Sequence, residues 1–241
     1  MNVHVVEPER FGEIAAALFI ESIAGLRGPV VGLATGNTPV PLYEALKPHA
    51  SRLRAVHPFA IDEYGGPRDH PCANRAFFAR SWNAIAGVRD VRQFDPWATD
   101  PERECERFAR VLGEFGGLDL AVVGIGLNGH LAFNEPGTER TRGAHVAQLE
   151  TSTRASAARC WGEATPTWGM TLGLADLLGA HRVLLIASGA AKAEIVAAAL
   201  AGGVSASCPA SFLQEHSACD VLLDTAAAAA LPQEMLTPSR A

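Results

Sequence analysis

The sequence predicts an α/β fold: a doubly wound, mostly parallel sheet with helices on both faces, three-layered and Rossmann-like, in a single domain spanning 1–241. Short apolar runs alternate along the chain with segments of helical periodicity, as βα units do. Those runs show little apolar/polar alternation, which is expected where helices cover both faces of a parallel sheet. No stretch stands out as a linker, no repeat of fixed period occurs, and one core can serve 241 residues.

In chain order, Phe11 to Ile23 reads as a helix, Pro29 to Ala34 as a strand and Pro39 to Leu46 as a helix opened by proline. An apolar run from His57 ends at Asp62-Glu63, and helices are expected over Asn74 to Ala84 and Pro101 to Phe115. Leu118 to Ile125 and Arg182 to Ala187 read as buried strands, the second followed by a helix over Ala190 to Leu200. The alanine run Ala226 to Ala230, between Asp224 and Pro232, suits a short helix, and only the last several residues look dispensable.

With 48% hydrophobic and 19% charged residues the chain lies in the globular range. A net charge of −6 without a Lys/Arg cluster argues against nucleic acid as a partner, although a few focused N–H groups and cations still suffice for an anionic metabolite. The five cysteines (Cys72, Cys105, Cys160, Cys208, Cys219) are odd in number and lack Cys-x-x-Cys or zinc-like spacing, which fits a reducing compartment. The N-terminus lacks a charged region followed by an apolar one, and no run of about 18 apolar residues occurs, so a cytoplasmic protein without a membrane partner is expected.

In open parallel sheets, ligands bind beyond the carboxyl ends of the strands. After Val30 to Ala34 comes Thr35-Gly36-Asn37-Thr38-Pro39, a tight turn into a helix whose N–H groups and hydroxyls suit a phosphate. The same residues also read as a turn whose Thr38 caps the helix. The segment is neither a Walker A loop nor a dinucleotide fingerprint, which counts against ATP and nicotinamide. After the next run, strand alternation sends Asp62 and Glu63 in opposite directions, so one can face a ligand while the other holds the loop; a solvated turn is the plain alternative.

After Leu118 to Ile125 the chain runs Gly126-Leu-Asn128-Gly129-His130-Leu-Ala-Phe-Asn134-Glu135-Pro136-Gly137. A histidine with a carboxylate five residues on suits proton delivery near neutral pH, and equally a surface loop with local hydrogen bonds. These blocks, with Ala34 to Pro39, Ile61-Asp-Glu-Tyr64 and Cys208-Pro-Ala-Ser-Phe-Leu-Gln-Glu-His216, together resemble the glucosamine-6-phosphate deaminase (isomerase) family, in order across roughly residues 30 to 225.

The resemblance implies opening of an amino-sugar phosphate ring, aldose–ketose isomerisation and release of ammonia, without metal or organic cofactor. It implies Asp62 as the base moving a proton between C2 and C1, and His130 with Glu135 as the ring-opening pair. Thr35, Gly36, Asn37 and Thr38 would hold the phosphate with Arg159 and Lys192, Arg154 being the fallback for Arg159. Many members carry Asp where this chain has Asn128, which can hydrogen-bond but cannot take a proton, so acid–base work falls on Glu135. The related 6-phosphogluconolactonases typically read Asp-Gly-His-x-Ala-Ser-Leu-Phe-Pro here, and Phe133-Asn134-Glu135 argues against them. A galactosamine-6-phosphate deaminase and a non-catalytic sugar-phosphate sensor are the other readings. A metal at His130 and Glu135 lacks a third ligand of recognisable spacing.

Overall fold

The computed structural model describes residues 1–236. Strand β1 (Asn2–Val6) leads to α1 (Phe11–Ser22), β2 (Val30–Leu33) and α2 (Val40–Leu46). A short α3 (Ala50–Leu53) precedes β3 (His57–Ala60), and after the single residue Ile61 the chain re-enters extended structure as β4 (Asp62–Tyr64). Then follow α4 (Asn74–Arg80), α5 (Pro101–Glu114), β5 (Leu120–Val123), β6 (His145–Gln148) and α6 (Thr151–Trp161). The chain continues through β7 (Trp168–Thr171), α7 (Leu174–Leu178), β8 (Arg182–Ala187), α8 (Ala193–Ala201), β9 (Cys219–Asp224) and α9 (Gln233–Leu236).

Six strands form a parallel sheet in the order β1-β9-β8-β5-β2-β3. Alternate residues of its central strands feed two different cores. Val31, Leu33, Leu120, Val122, Leu184 and Ile186 pack with α1, α2 and α4, while Val30, Ala121, Val123, Val183 and Leu185 pack with α5, α7 and α8. Both faces are therefore apolar, which is the physical reason the strand runs show no alternation. The expected three-layer α/β fold is what the chain adopts.

A second sheet, antiparallel in the order β4-β7-β6, is not foreshadowed by the sequence pattern. Its strands are only three or four residues long and leave too short a pattern to recognise.

Three expected elements differ. The helix over Asn74 to Ala84 breaks at Ser81, whose hydroxyl donates back to the Phe77 carbonyl (2.8 Å), and the chain resumes as one tight turn over Trp82–Ala84. The alanine run forms successive turns rather than a helix, the Asp224 carboxylate accepting from the Ala227 N–H (2.7 Å) at its start. The third expected helix, over Ala190 to Leu200, begins as a tight turn at Ala190–Lys192 before α8. Of the last several residues, expected to be dispensable, 237–241 lie outside the described residues.

Cys72 and Cys160, 88 residues apart, are joined by a disulfide. This corrects the expectation of five reduced thiols, because no local spacing announces a pair made by tertiary folding. Cys105, Cys208 and Cys219 are free. Among the described residues no helix is long and apolar enough to cross a membrane.

Candidate active site

From β2 the chain proceeds to β3 on one side of the sheet, and from β5 to β8 and β9 on the other, so the adjacent β2 and β5 form the point where strand order reverses. A crevice opens there at the carboxyl ends. It contains a cavity of about 760 Å³ lined by the loops after β2, β5 and β8, by Asp62 and Asn74, and by one face of α6.

Thr35, Gly36, Asn37 and Thr38 form one wall, and Lys192 and Arg159 line the same cavity. Arg154 is exposed and does not line it, so Arg159 is the α6 arginine that faces the crevice. Thr38 makes no capping bond: α2 starts one residue after its N-cap Pro39, which leaves the threonine hydroxyl uncommitted to the helix. Lys192 donates one hydrogen bond to the Ile125 carbonyl (2.6 Å), and burial lowers its pKa. Its ammonium is thereby held at the end of β5, with further donors for an anion. Tyr43, buried beneath the loop, donates to the Ala34 carbonyl (2.6 Å) and fixes the start of the cradle.

Asp62 opens β4 where the chain passes from one sheet to the other. Its register partner is Thr171, and the flanking Ile61 carbonyl accepts from the Leu172 N–H (2.8 Å). Asp62 lines the cavity while Glu63 points away and accepts the backbone N–H groups of Tyr64 (2.9 Å), Asn74 (2.9 Å) and Arg75 (2.8 Å). Burial, then the neighbouring Glu63 charge, push the Asp62 carboxyl up to about 7, against a lowering contribution from the Asn74 hydrogen bond. A carboxyl poised there exchanges a proton readily near neutral pH.

The β5 loop folds back so that the His130 ring stacks over Gly126; a Cβ on that glycine would sit 2.3 Å from the imidazole. At Gly129, φ is +84° and a Cβ would meet Cys208 Sγ at 2.6 Å, while the Gly129 carbonyl accepts from Ala210 N–H (2.8 Å). The Cys208 to His216 block thus buttresses the loop from outside.

Glu135 does not line the cavity; it stands behind His130. Its Oε2 lies 3.3 Å from His130 Nδ1 and accepts from Asn128 Nδ2 (2.8 Å), while Oε1 accepts from Glu150 N–H (3.2 Å) just ahead of α6. Burial raises the Glu135 pKa, but the His130 hydrogen bond and charge, Thr153 and Asn128 outweigh it and hold the carboxyl below its ordinary range. With Nδ1 turned to Glu135 and to the Thr153 hydroxyl (3.2 Å), Nε2 is left for a ligand. The neighbouring triplet residues have structural tasks. Phe133 packs on Tyr64 (ring centroids 4.7 Å apart), and the buried Asn134 amide donates to the Leu131 and Leu172 carbonyls (2.9 Å each).

Helix α6 stands off the main cores. Its buried Ala157 and Trp161 pack with Ala73 in a small separate cluster, Trp161 stacks on His70 (4.2 Å), and the Cys72–Cys160 bond ties it to the loop before α4. Asn74, Thr153 and this tether are not marked as site features by the sequence. Asn74 stands 12 residues from Asp62 and Thr153 stands 23 from His130, and nothing in either spacing marks a partner.

Residues 12–222 match the family described as glucosamine-6-phosphate isomerases/6-phosphogluconolactonase. A glucosamine-6-phosphate deaminase of Halalkalibacterium halodurans is 35% identical over 234 residues, covering 91% of this chain and 94% of its own. One of Beutenbergia cavernae is 38% identical over 234 residues, covering 90% and 88%. Among solved structures, a monomeric glucosamine-6-phosphate deaminase superposes with a TM-score of 0.91 at 32% identity, over 95% of this chain and all of that one (100%). The 6-phosphogluconolactonase of Trypanosoma brucei (TM-score 0.73, 22% identity, 96% and 98% covered) shares the fold. The chain belongs to the glucosamine-6-phosphate isomerase/6-phosphogluconolactonase family.

Proposed function

We propose that the protein is a glucosamine-6-phosphate deaminase, converting glucosamine 6-phosphate and water to fructose 6-phosphate and ammonia. The observation that carries this reading is the arrangement of one cavity, which has an anion cradle and two cations along its walls, a buried carboxyl poised near 7, and a histidine backed by an ionised glutamate.

The Thr35–Thr38 loop, Lys192 and Arg159 hold the phosphate and place the sugar ring across the cavity. His130 passes a proton to the ring oxygen and takes one from the C1 hydroxyl, opening the ring; Glu135 fixes the tautomer and stabilises the imidazolium. Asp62 then removes the C2 proton of the open-chain aldehyde while His130 gives O1 back the proton it took, forming an enediol-type intermediate that carries the amine, and Asp62 returns its proton to C1. The resulting 2-imine adds water and expels ammonia, leaving the ketose. Asn128 donates to Glu135 and orients it, a task an amide performs without titrating. The Phe133-Asn134-Glu135 triplet favours this chemistry over lactone hydrolysis, because its carboxylate is the group that sets the histidine. This reading assigns the activity to the cytoplasm, because a phosphorylated sugar does not cross a membrane unaided.

The deciding experiment is incubation with glucosamine 6-phosphate, galactosamine 6-phosphate and 6-phosphogluconolactone in the presence of chelator, following ammonium and acid release. Ammonium from glucosamine 6-phosphate is the expected result. Acid from the lactone alone would reassign the chain to lactonase chemistry, and turnover of none of the three would make it a sensor.

A further inference from the structure

Asp62 is 8% exposed, yet one side chain alone donates to its carboxylate among the described residues: Asn74, whose Nδ2 lies 2.6 Å from Oδ1. The same amide nitrogen lies 3.1 Å from the Asp62 backbone carbonyl, so both of its N–H bonds go to one residue. Asn74 is itself held firmly. It is 4% exposed, it is the first residue of α4, and its backbone N–H donates to Glu63 Oε1 (2.9 Å). The carboxylate is therefore gripped at Oδ1, leaving Oδ2 without a partner among the described residues and available to the cavity.

We propose that Asn74 is the positioning residue for Asp62, fixing the carboxylate's orientation toward the substrate and stabilising its ionised, proton-accepting form. The inference rests on the deaminase reading, in which Asp62 is the base. A buried carboxylate deprived of this donor either turns away or takes up a proton, and both outcomes remove the base. The charged and titratable groups around Asp62 are Glu63 and Tyr64 on its own strand, Tyr43 from α2, and His130, Arg80, Arg159 and Lys192 along the cavity. Glu63 and burial favour the neutral acid, and the Asn74 hydrogen bond opposes them. The amide differs from a general packing residue in acting on one protonation state, which gives it a signature in pH.

The test uses Asn74→Leu, which removes the donor while keeping the backbone bond to Glu63, and the near-isosteric Asn74→Asp, which replaces the donor by a second acid. The kcat/KM pH profile for glucosamine 6-phosphate is compared with wild type, so that the substrate's own titration is common to all. The expected result is an acidic limb displaced upward by one pH unit or more, with at least a tenfold loss near pH 6 that narrows above pH 9. In parallel, the Asp62 carboxyl is titrated by 13C NMR in the free protein, its resonance assigned through Asp62→Asn, and its midpoint rises in Asn74→Leu. A loss of activity equal at all pH values, with an unmoved Asp62 midpoint, would reduce Asn74 to a packing residue and overturn the proposal. Should wild type release no ammonium, the functional reading fails, while the NMR midpoint still decides whether Asn74 sets the state of Asp62. Should Asn74→Leu fold poorly, the limb displacement in Asn74→Asp, a favourable residue in the first turn of a helix, decides the kinetic arm.

Discussion

His130 Nδ1 and Glu135 Oε2 stand 3.3 Å apart, with the carboxylate placed behind the imidazole and out of the cavity. This geometry makes the glutamate a partner of the histidine rather than a group that meets substrate. Glu135→Gln keeps the shape and removes the charge, so kcat is expected to fall by roughly 10²-fold with KM little changed, the usual scale for losing positioned acid–base help. Ammonium release under saturating substrate measures it. The Glu135 carboxyl is held below its ordinary 4.5, so its stabilising contribution is fully present above that value and is lost as pH falls through the lower folded value.

Asp62 behaves in the opposite sense. Its folded value of about 7 exceeds the ordinary 3.8, so the folded protein holds an extra proton between these pH values, and stability falls as pH rises from about 4 to about 7. Asp62→Asn removes this slope. The variant is expected to be more stable than wild type at pH 8 by on the order of a few kcal/mol, and nearly equal to it at pH 4. Urea unfolding at the two pH values measures the difference. The same substitution is expected to lower ammonium release at least 10²-fold, and near-normal release would remove Asp62 from the base role.

The Cys72–Cys160 bond spans 88 residues and anchors α6, whose other buried contacts are few. Cys160→Ser is expected to cost up to about 4–5 kcal/mol of stability by the chain-entropy argument, seen as a lower urea midpoint that reductant imposes on wild type as well. Because α6 brings Arg159 and Thr153 to the cavity, KM for the sugar phosphate should rise several-fold while the Asp62 titration stays in place.

Lys192 is held by the Ile125 carbonyl at the cavity wall, and in the proposed reading its remaining donors meet the substrate phosphate. Lys192→Met is expected to raise KM for glucosamine 6-phosphate by about 10²-fold, the scale of removing a charge-assisted hydrogen bond from a partly buried site. Turnover of unphosphorylated glucosamine should be unchanged by the same substitution. An equal loss on both substrates would move Lys192 out of the phosphate site.

The sequence by itself determined the layered α/β fold. Strands such as Leu120–Val123 and Arg182–Ala187 must be apolar on both faces when helices cover both, and that requirement is written in consecutive residues. It also pointed to the loops that line the crevice, since ligand-binding loops follow strands and the Gly126 to Glu135 segment carries its histidine and glutamate only five residues apart. Only the tertiary structure decided how those groups are held. It placed Glu135 behind His130, gave Asp62 its side-chain donor in Asn74, and closed Cys72 on Cys160. It also turned Ala226 to Ala230 away from helix, through an Asp224 carboxylate shared between the Gly189 and Ala227 N–H groups. The Cys72–Cys160 and Asp224–Gly189 contacts join segments 88 and 35 residues apart, and the shorter-range pairs depend on how their loops are folded, which spacing alone does not state. The short second sheet that puts Asp62 opposite Thr171 is of the same kind, because strands of three or four residues are stabilised by their neighbours and leave no period of their own.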